Sequence, residues 1–366
     1  MDFSQQNCRR FQDQLRQGEL DWAFLVPGPN FFYLTGIEMD PAERLTTLIV
    51  PSDDIPTIIC PAFEEPRLRK MTWVDDFLTW EEHENPFLKV AKVIDGFSKQ
   101  NVGIDGSVGF DKCLELRKLG IDLLKVASAS SILGELRIRK TESELQVMRK
   151  AGELVCKAVQ TAFDNASVGM SEMELRSIIE QSIYCHNGLP KHVLVQFGPN
   201  SSYPHQDTTN YQSKRGDVVL IDIVAKFQGY CSDITRMAVL GSSTEHHKKI
   251  HQLVFESQKA ARDFAKEGVL ASKVDLVARQ KMDEGSEKNS QFFTHRLGHG
   301  IGIEVHEPPY LVSGNDIPLE EGMTHSIEPG IYLEGRYGFR IEDTVAVGPA
   351  NVEILTKDLS RELVEL

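Results

Sequence analysis

The stretch GDVVLIDIVAKFQGYCSDITRMAVL (Gly216–Leu240) sets two apolar runs on either side of the turn FQGY, and each run carries one aspartate, Asp222 and Asp233. Apolar, β-branched runs flanking a glycine turn predict a strand pair over Asp217–Leu240. An acid inside such a strand is an expensive place for charge, because at least one face is buried. Side chains alternate along a strand, so a loop of even length puts the two aspartates, eleven positions apart, on one face of the hairpin. Two carboxylates there repel each other unless something positive sits between them.

The pattern returns nearer the C-terminus in THSIEPGIYLEGRYGFRIEDTVAVG (Thr324–Gly348). Glu328 precedes a Pro-Gly turn, and Glu342 lies in a strand expected over Phe339–Val347. Alternation gives Phe339, Ile341 and Val345 one face of that strand and Arg340, Glu342 and Thr344 the other. Taken singly, each carboxylate reads as a solvated charge or a hairpin-end residue. Two acidic pairs embedded in apolar strands, joined by a histidine, form an oxygen-rich set with one nitrogen ligand. Such a set suits two divalent ions such as Mn²⁺, Co²⁺ or Zn²⁺.

The rest of the chain bounds the reading. Its 366 residues suffice for two packed domains, and 41% hydrophobic with 26% charged residues is an ordinary globular composition. A net charge of −14 with scattered Lys and Arg argues against a nucleic-acid surface. No apolar run is long enough to span a bilayer, and the first residues lack the apolar core of a signal peptide, so no membrane contact and a cytoplasmic location are expected. The six cysteines are far apart, with no C-x-x-C pair, and read as reduced thiols; Cys231, close to Asp233, reads as a bystander.

Up to about Ser130, short β-rich runs (WAFLVP, TTLIVP, TIICP, NVGID) alternate with helical stretches, which predicts a small α/β domain over residues 1–130. Capping boxes at Thr141/Glu144 and Ser171/Glu174 then open two helices of a second domain, 131–366. Two more helices are expected over Thr244–Lys266 and Ser272–Glu284, so helices and hairpins recur in two similar rounds. Among the histidines, His246, His247 and His251 lack an acidic residue in the metalloprotease position and are expected at the solvent face of a helix. His186, His192 and His325 read as core or surface residues, and His295 as at most a residue that orients a ligand.

These residues resemble one family closely, the metal-dependent aminopeptidases with the pita-bread fold, which include Xaa-Pro dipeptidases (prolidases), Xaa-Pro aminopeptidases and methionine aminopeptidases. The likeness rests on GPNSSYPH (198–205), the Asp222/Asp233 hairpin ending SDITR, GHGIGIEVHEPP (298–309), EGMTHSIEPGIY (321–332) and RIEDT (340–344), in family order along nearly the whole chain. It implies an α/β (α+β) architecture, with a small N-terminal α/β domain followed by a pita-bread catalytic domain of pseudo-twofold helix-and-hairpin halves. It implies that Asp222, Asp233, His299, Glu328 and Glu342 bind two divalent metal ions (Mn, Co or Zn), with Asp233 and Glu342 bridging. His205 and His306 would touch the scissile peptide, and Glu328 would take a proton from the bridging water. The implied activity is that of a dinuclear-metal peptidase, a homodimer. It would hydrolyse the bond between an N-terminal residue and proline in dipeptides or short peptides, through a metal-bridging hydroxide.

The chain departs from the pattern in places. Prolidase-like sequences often carry a glycine where Val224 stands and a threonine where Met237 stands; Val224 would narrow the site. Some prolidases hold the dipeptide carboxylate with an arginine where this chain has Tyr310, and Arg340 is expected to serve instead, which leaves dipeptidase and aminopeptidase both open. Phe197, Tyr203 and Tyr310 are candidates for the walls of a proline pocket as well as for packing. The metal-free creatine-type hydrolases on this fold have lost the ligands retained here. A metal-dependent hydrolase or lyase of a small non-peptide compound stands as the alternative, with a non-enzymatic binding protein behind it. His299 and His306 are seven apart, so a straight strand would aim them at opposite faces. If both serve one site, Gly300 and Gly302 must bend or bulge the chain.

Overall fold

The computed structural model describes residues 3–94, 101–284 and 288–366. The chain divides into two compact units, Met1–Arg137 and Ile138–Leu366.

In the first unit, α1 (Phe3–Gln17), α2 (Pro29–Thr35), α3 (Glu65–Leu68), α4 (Phe87–Val93), α5 (Phe110–Lys118) and α6 (Ala129–Arg137) accompany six strands. These are β1 (Trp22–Leu25), β2 (Thr47–Pro51), β3 (Thr57–Pro61), β4 (Asp76–Trp80), β5 (Val102–Ile104) and β6 (Ala127–Ser128). They form one mixed sheet in the order β4-β3-β2-β1-β5-β6. The four β-rich runs read from the sequence are β1, β2, β3 and β5. The expected boundary near residue 130 falls inside a segment that belongs to this unit. Ser130 donates to Asp105 (2.6 Å), Arg137 donates to Asn30 (2.8 Å), and the Tyr33 hydroxyl donates to the Leu136 carbonyl. Those bonds carry α6 with the first sheet and move the boundary to Arg137.

The second unit opens with α7 (Glu142–Asn165) and α8 (Glu172–Cys185), and both expected capping boxes are formed, Thr141 with Glu144 and Ser171 with Glu174. β7 (Leu189–Phe197), β8 (Val218–Phe227) and β9 (Tyr230–Val239) follow. The second round begins with α9 (Glu245–Phe264) and α10 (Ala271–Met282). It continues through β10 (Gly298–Gly300), β11 (Glu307–Leu311), β12 (Thr324–Ile327), β13 (Gly330–Leu333), β14 (Tyr337–Arg340), β15 (Glu342–Val347), β16 (Val352–Ile354) and β17 (Val364–Glu365). The main sheet runs β11-β10-β12-β15-β9-β8-β7, with β16 on β15 and β17 on β9. Val155, Val159, Ile179, Val195, Val219 and Ile221 share one apolar cluster that packs α7 and α8 onto β7 and β8, and Val254, Val274, Leu220, Met237 and Ile327 belong to a second.

The hairpin has the parity that the sequence requires. β8 and β9 join through Gln228 and Gly229, and Asp222 pairs with Thr235 while Val224 pairs with Asp233. Directly opposed residues share a face, as do residues two apart, so Asp222 and Asp233 lie on the same side of the sheet. Glu342 of β15 also pairs with Thr235, which adds a third carboxylate to that side from the next strand.

Two expectations are corrected. The single strand expected over Phe339–Val347 is broken at Ile341: β14 pairs with β13 in a separate two-stranded sheet, and only β15 enters the main sheet. Gly338 presses against the Ser201 carbonyl, where a Cβ would stand 2.2 Å away, and donates its N–H to the Ser201 hydroxyl, which holds β14 apart. Nor do all three histidines of α9 face solvent. His247 is 6% and His251 4% exposed. His247 packs edge-on against Tyr337, and the His251 ring meets Phe339, so the helix face that they share is the one laid on β14.

Candidate metal centre

The carboxylates of Asp233 and Glu342 and the His299 imidazole, all buried, each bring a ligand atom within 4.8 Å of the others. His299 Nε2 is 3.8 Å from Asp233 Oδ2 and 3.4 Å from Glu328 Oε1. Its Nδ1 lies 3.1 Å from the Gly300 carbonyl, which can only accept, so Nδ1 carries the proton and Nε2 turns its lone pair to the acids. Glu328 follows directly on β12 and takes a hydrogen bond from the Ser326 hydroxyl (3.2 Å), which itself accepts from the His299 backbone N–H. Asp222 completes the group from β8, its Oδ2 accepting from Arg340 at 2.5 Å.

Electrostatics make this cluster unstable as it stands. Burial, and then the neighbouring carboxylates, push Asp233 and Glu342 well above the usual carboxylate range. Burial lifts Glu328 to about 7, with Arg340 opposing the rise and Asp222 adding to it. Burial likewise lowers His299 to about 3, so it is a neutral ligand at neutral pH. Asp233 Oδ1 and Glu342 Oε1 are buried with no hydrogen-bond partner among the described residues. Buried acceptors of this kind are costly to leave unsatisfied, and a divalent cation satisfies both at once.

The bend required in the histidine segment is present. β10 and β11 slip register between His299, which pairs with Tyr310, and Gly300, which pairs with Glu307. The slip brings the His299 and His306 rings to 4.3 Å, perpendicular to each other. A Cβ on Gly300 would stand 2.1 Å from the Pro308 carbonyl oxygen, so no other residue fits there. Gly302 is as crowded, against the Glu307 carboxylate and the Lys140 side chain, which form a buried ion pair of 2.6 Å under the turn that carries His306.

His205 stands on an exposed turn after Gly198–Ser202. That turn is tied by Gln196 to the Tyr203 and Gln206 carbonyls and by the buried Glu172, which accepts from Phe197 N, Asn200, Thr209 N and the Thr209 hydroxyl. His205 and His306 are both held below the ordinary imidazole value, mainly by desolvation, with Arg340 next for His205 and Arg296 next for His306. His295 donates to or accepts from the Tyr332 hydroxyl at 2.8 Å and lies 4.0 Å from Glu328, which fits its expected orienting place.

Other expectations divide. Arg340 is 2% exposed and donates to Asp222, to the Tyr332 hydroxyl (2.7 Å) and to Thr235 (3.2 Å). It braces the Asp222 carboxylate from the side of the Tyr332 hydroxyl. Phe197 is wholly buried in the core, as is Met237, whereas Tyr310 is half-buried on the His299 side of its strand. Val224 pairs directly with Asp233 and so shares its face of the sheet. Sequence reasoning missed Glu172, Lys140 and Tyr332. Each is an unremarkable residue locally, and only long-range contacts give it a part.

Four acids and one imidazole gathered at one sheet face, with two carboxylate oxygens that lack a hydrogen-bond partner among the described residues, have the chemistry of a divalent-metal site. Residues 146–349 match metallopeptidase family M24, and residues 8–139 match the creatinase/prolidase N-terminal domain. The Xaa-Pro dipeptidase of Lactobacillus delbrueckii subsp. lactis is 34% identical over 360 residues, covering 96% of this chain and 95% of that protein. That of Pyrococcus horikoshii is 31% identical over 372 residues and the whole of both chains. The crystal structure of a prolidase from Thermococcus sibiricus superposes with a TM-score of 0.90 at 34% identity, over 100% of each chain. The chain belongs to metallopeptidase family M24 and has the two-part architecture and pita-bread catalytic fold that its motifs imply.

Proposed function

We propose that this metallopeptidase hydrolyses the bond between an N-terminal residue and proline, in dipeptides or short peptides, with two divalent ions (Mn, Co or Zn). Asp222, Asp233, His299, Glu328 and Glu342 would hold them, with Asp233 and Glu342 shared between both. The observation that carries the reading is the pair of orphaned oxygens, Asp233 Oδ1 and Glu342 Oε1, beside the free Nε2 lone pair of His299. Bound there, such ions supply Lewis acidity to the peptide carbonyl and lower the pKa of water.

The protein's own residues account for the rest. Glu328, held by the Ser326 hydroxyl beside His299, would take the proton from the attacking water. Neutral His306, beside His299, donates an N–H to the oxyanion that forms as the carbonyl is attacked, and His205 contacts the same peptide from its turn. Arg340 aims the Asp222 carboxylate, while Ser326 fixes Glu328. An Xaa-Pro bond offers no N–H, so recognition falls to shape and to the groups on either side. Two 31–34% identical relatives that span nearly all of the chain are named Xaa-Pro dipeptidases, which supports this substrate.

The test is to add Mn²⁺, Co²⁺ or Zn²⁺ to metal-free protein and assay an Xaa-Pro dipeptide beside a longer Xaa-Pro peptide. Metal-stimulated cleavage is expected, and no cleavage of either sinks the proposal. Asp233→Ala or Glu342→Ala should lose metal binding in calorimetry together with activity, and retained turnover would refute the ligand set. The proposal includes a homodimer in the cytoplasm. The family likeness supports the first, to be checked by light scattering, and six free cysteines fit the reducing compartment of the second.

A further inference from the structure

His306 sits on a turn with one buried side chain. Of Glu304, Val305, His306 and Glu307, only Glu307 is buried, at 5% exposure. Pro308 and Pro309 come next and carry no N–H with which the backbone could fasten the turn. The arm before the turn is secured: the Gly302 carbonyl accepts from Cys231 N–H at 2.6 Å, and Ile301 N–H donates to the Thr324 carbonyl at 3.3 Å. Beyond that arm the hold passes to the Glu307 carboxylate, whose Oε1 accepts from Lys140 Nζ at 2.6 Å and whose Oε2 takes the Glu304 N–H at 3.5 Å. Lys140 is itself fixed on the loop that leads into β12. Its N–H donates to the Gly322 carbonyl at 2.8 Å, and a Cβ on Gly322 would stand 2.8 Å from the Lys140 carbonyl oxygen. Glu307 lies opposite Gly300, and Gly300 opposite His325, so Glu307 turns to the side of the sheet that His325 occupies. His306, one residue earlier, turns the other way, and its ring centre comes to 4.3 Å from that of His299.

We propose that Lys140 is a positioning residue: through its ion pair with Glu307 it sets where the His306 imidazole stands beside His299, and so the rate at which a bound substrate is cleaved. The inference rests on the role given to His306 in the Xaa-Pro reading above. A buried ion pair adds little stability over an apolar pair of the same volume, because two charges must leave water. What it supplies is direction, since a charge-assisted hydrogen bond fixes a distance and an angle that apolar contact leaves loose. The side chains of Lys140 and Glu307 are 2% and 6% exposed, so each has the other as its counter-charge away from solvent. Gly302 fits the same reading: a Cβ there would stand 2.5 Å from Glu307 Oε1 and 2.9 Å from Lys140 Cε, and would push the pair aside. Misplacing a catalytic group by about 1 Å costs about a hundredfold in rate, which makes the hold on this turn a kinetic quantity.

Lys140→Met alone would strand the Glu307 charge, so the test uses the neutral pair Lys140→Met/Glu307→Gln, which removes both charges and keeps both shapes. Mn²⁺-loaded wild type, the neutral pair, His306→Ala and the combination of all three are assayed on alanyl-proline. The neutral pair should lose about tenfold to a hundredfold in kcat while KM and calorimetric Mn²⁺ affinity stay at the wild-type level. The combination should be no slower than His306→Ala, because groups that act as one unit are not additive. In metal-free protein the NMR signals of the His306 ring, assigned by their loss in His306→Ala, should shift in the neutral pair, a readout independent of turnover. If the neutral pair does not fold, Glu307→Gln, which leaves Lys140 an amide oxygen to donate to, takes its place with the same expected directions. Wild-type kcat in the neutral pair, a loss that multiplies with that of His306→Ala, weakened Mn²⁺ binding or unmoved His306 signals each overturn the proposal. Wild type that leaves alanyl-proline uncut overturns the Xaa-Pro reading instead, and the ring signals then still test the geometry.

Discussion

A single imidazole shows how far burial alters a residue. His251 lies between Phe255 and Phe339, with Nε2 donating to the Arg361 carbonyl at 3.0 Å. Desolvation holds its pKa below the ordinary value, and the Arg361 carbonyl and Glu362 only partly oppose that. A folded pKa below the unfolded one means that the unfolded chain takes up the proton first. The contribution of His251 is therefore intact above about pH 6.5 and is lost as pH falls below it. His251→Gln keeps a donor for Arg361 and cannot be protonated. Its denaturation midpoint should decline less than that of wild type between pH 8 and pH 5, and parallel declines would refute this account.

Among elements, the turn that carries His205 depends on a residue outside the site. Glu172 starts α8, yet its carboxylate gathers four donors from the segment 197–209 at 2.6–2.9 Å. Hydrogen bonds to a buried charge are worth about 1.5–3 kcal/mol each, and removing the acceptor leaves its donors unsatisfied. Glu172→Ala should therefore destabilise the protein by about 2–4 kcal/mol and raise KM through a displaced His205. Metal affinity should stay unchanged, since no ligand lies on this turn. Calorimetric metal titration beside steady-state kinetics separates the two effects, and weakened metal binding would contradict the assignment.

Across the whole molecule, patterns of short period were readable in advance and long-range partnerships were not. Alternation together with turn length put Asp222 and Asp233 on one face, and the spacing of His299 and His306 required a bulge that the register slip supplies. The break at Ile341 was hidden, because alternation continues through it and the cause is a contact with Ser201, far away in sequence. The same holds for Arg340, whose parity was read from a strand to which it does not belong, and for His247 and His251, whose covering strand lies some ninety residues downstream.

Behind the ligand face, Asp343 and Arg236 point away from the metal centre and are fully engaged. Asp343 accepts from Arg236, Thr356, Gln258 and Arg361, and the charges and hydrogen bonds of the two arginines keep its carboxyl low despite burial. Arg236 also donates to the Glu342, Leu359 and Ser360 carbonyls. The final segment of the chain is thus stitched to the reverse of the two strands whose front sides hold Asp233 and Glu342. Deleting residues from Thr356 onward should weaken metal binding in titration while every ligand remains in place, and unchanged affinity would refute the link. The tail works like the backing of an embroidery: it is absent from the pattern, yet without it the threads in front go slack.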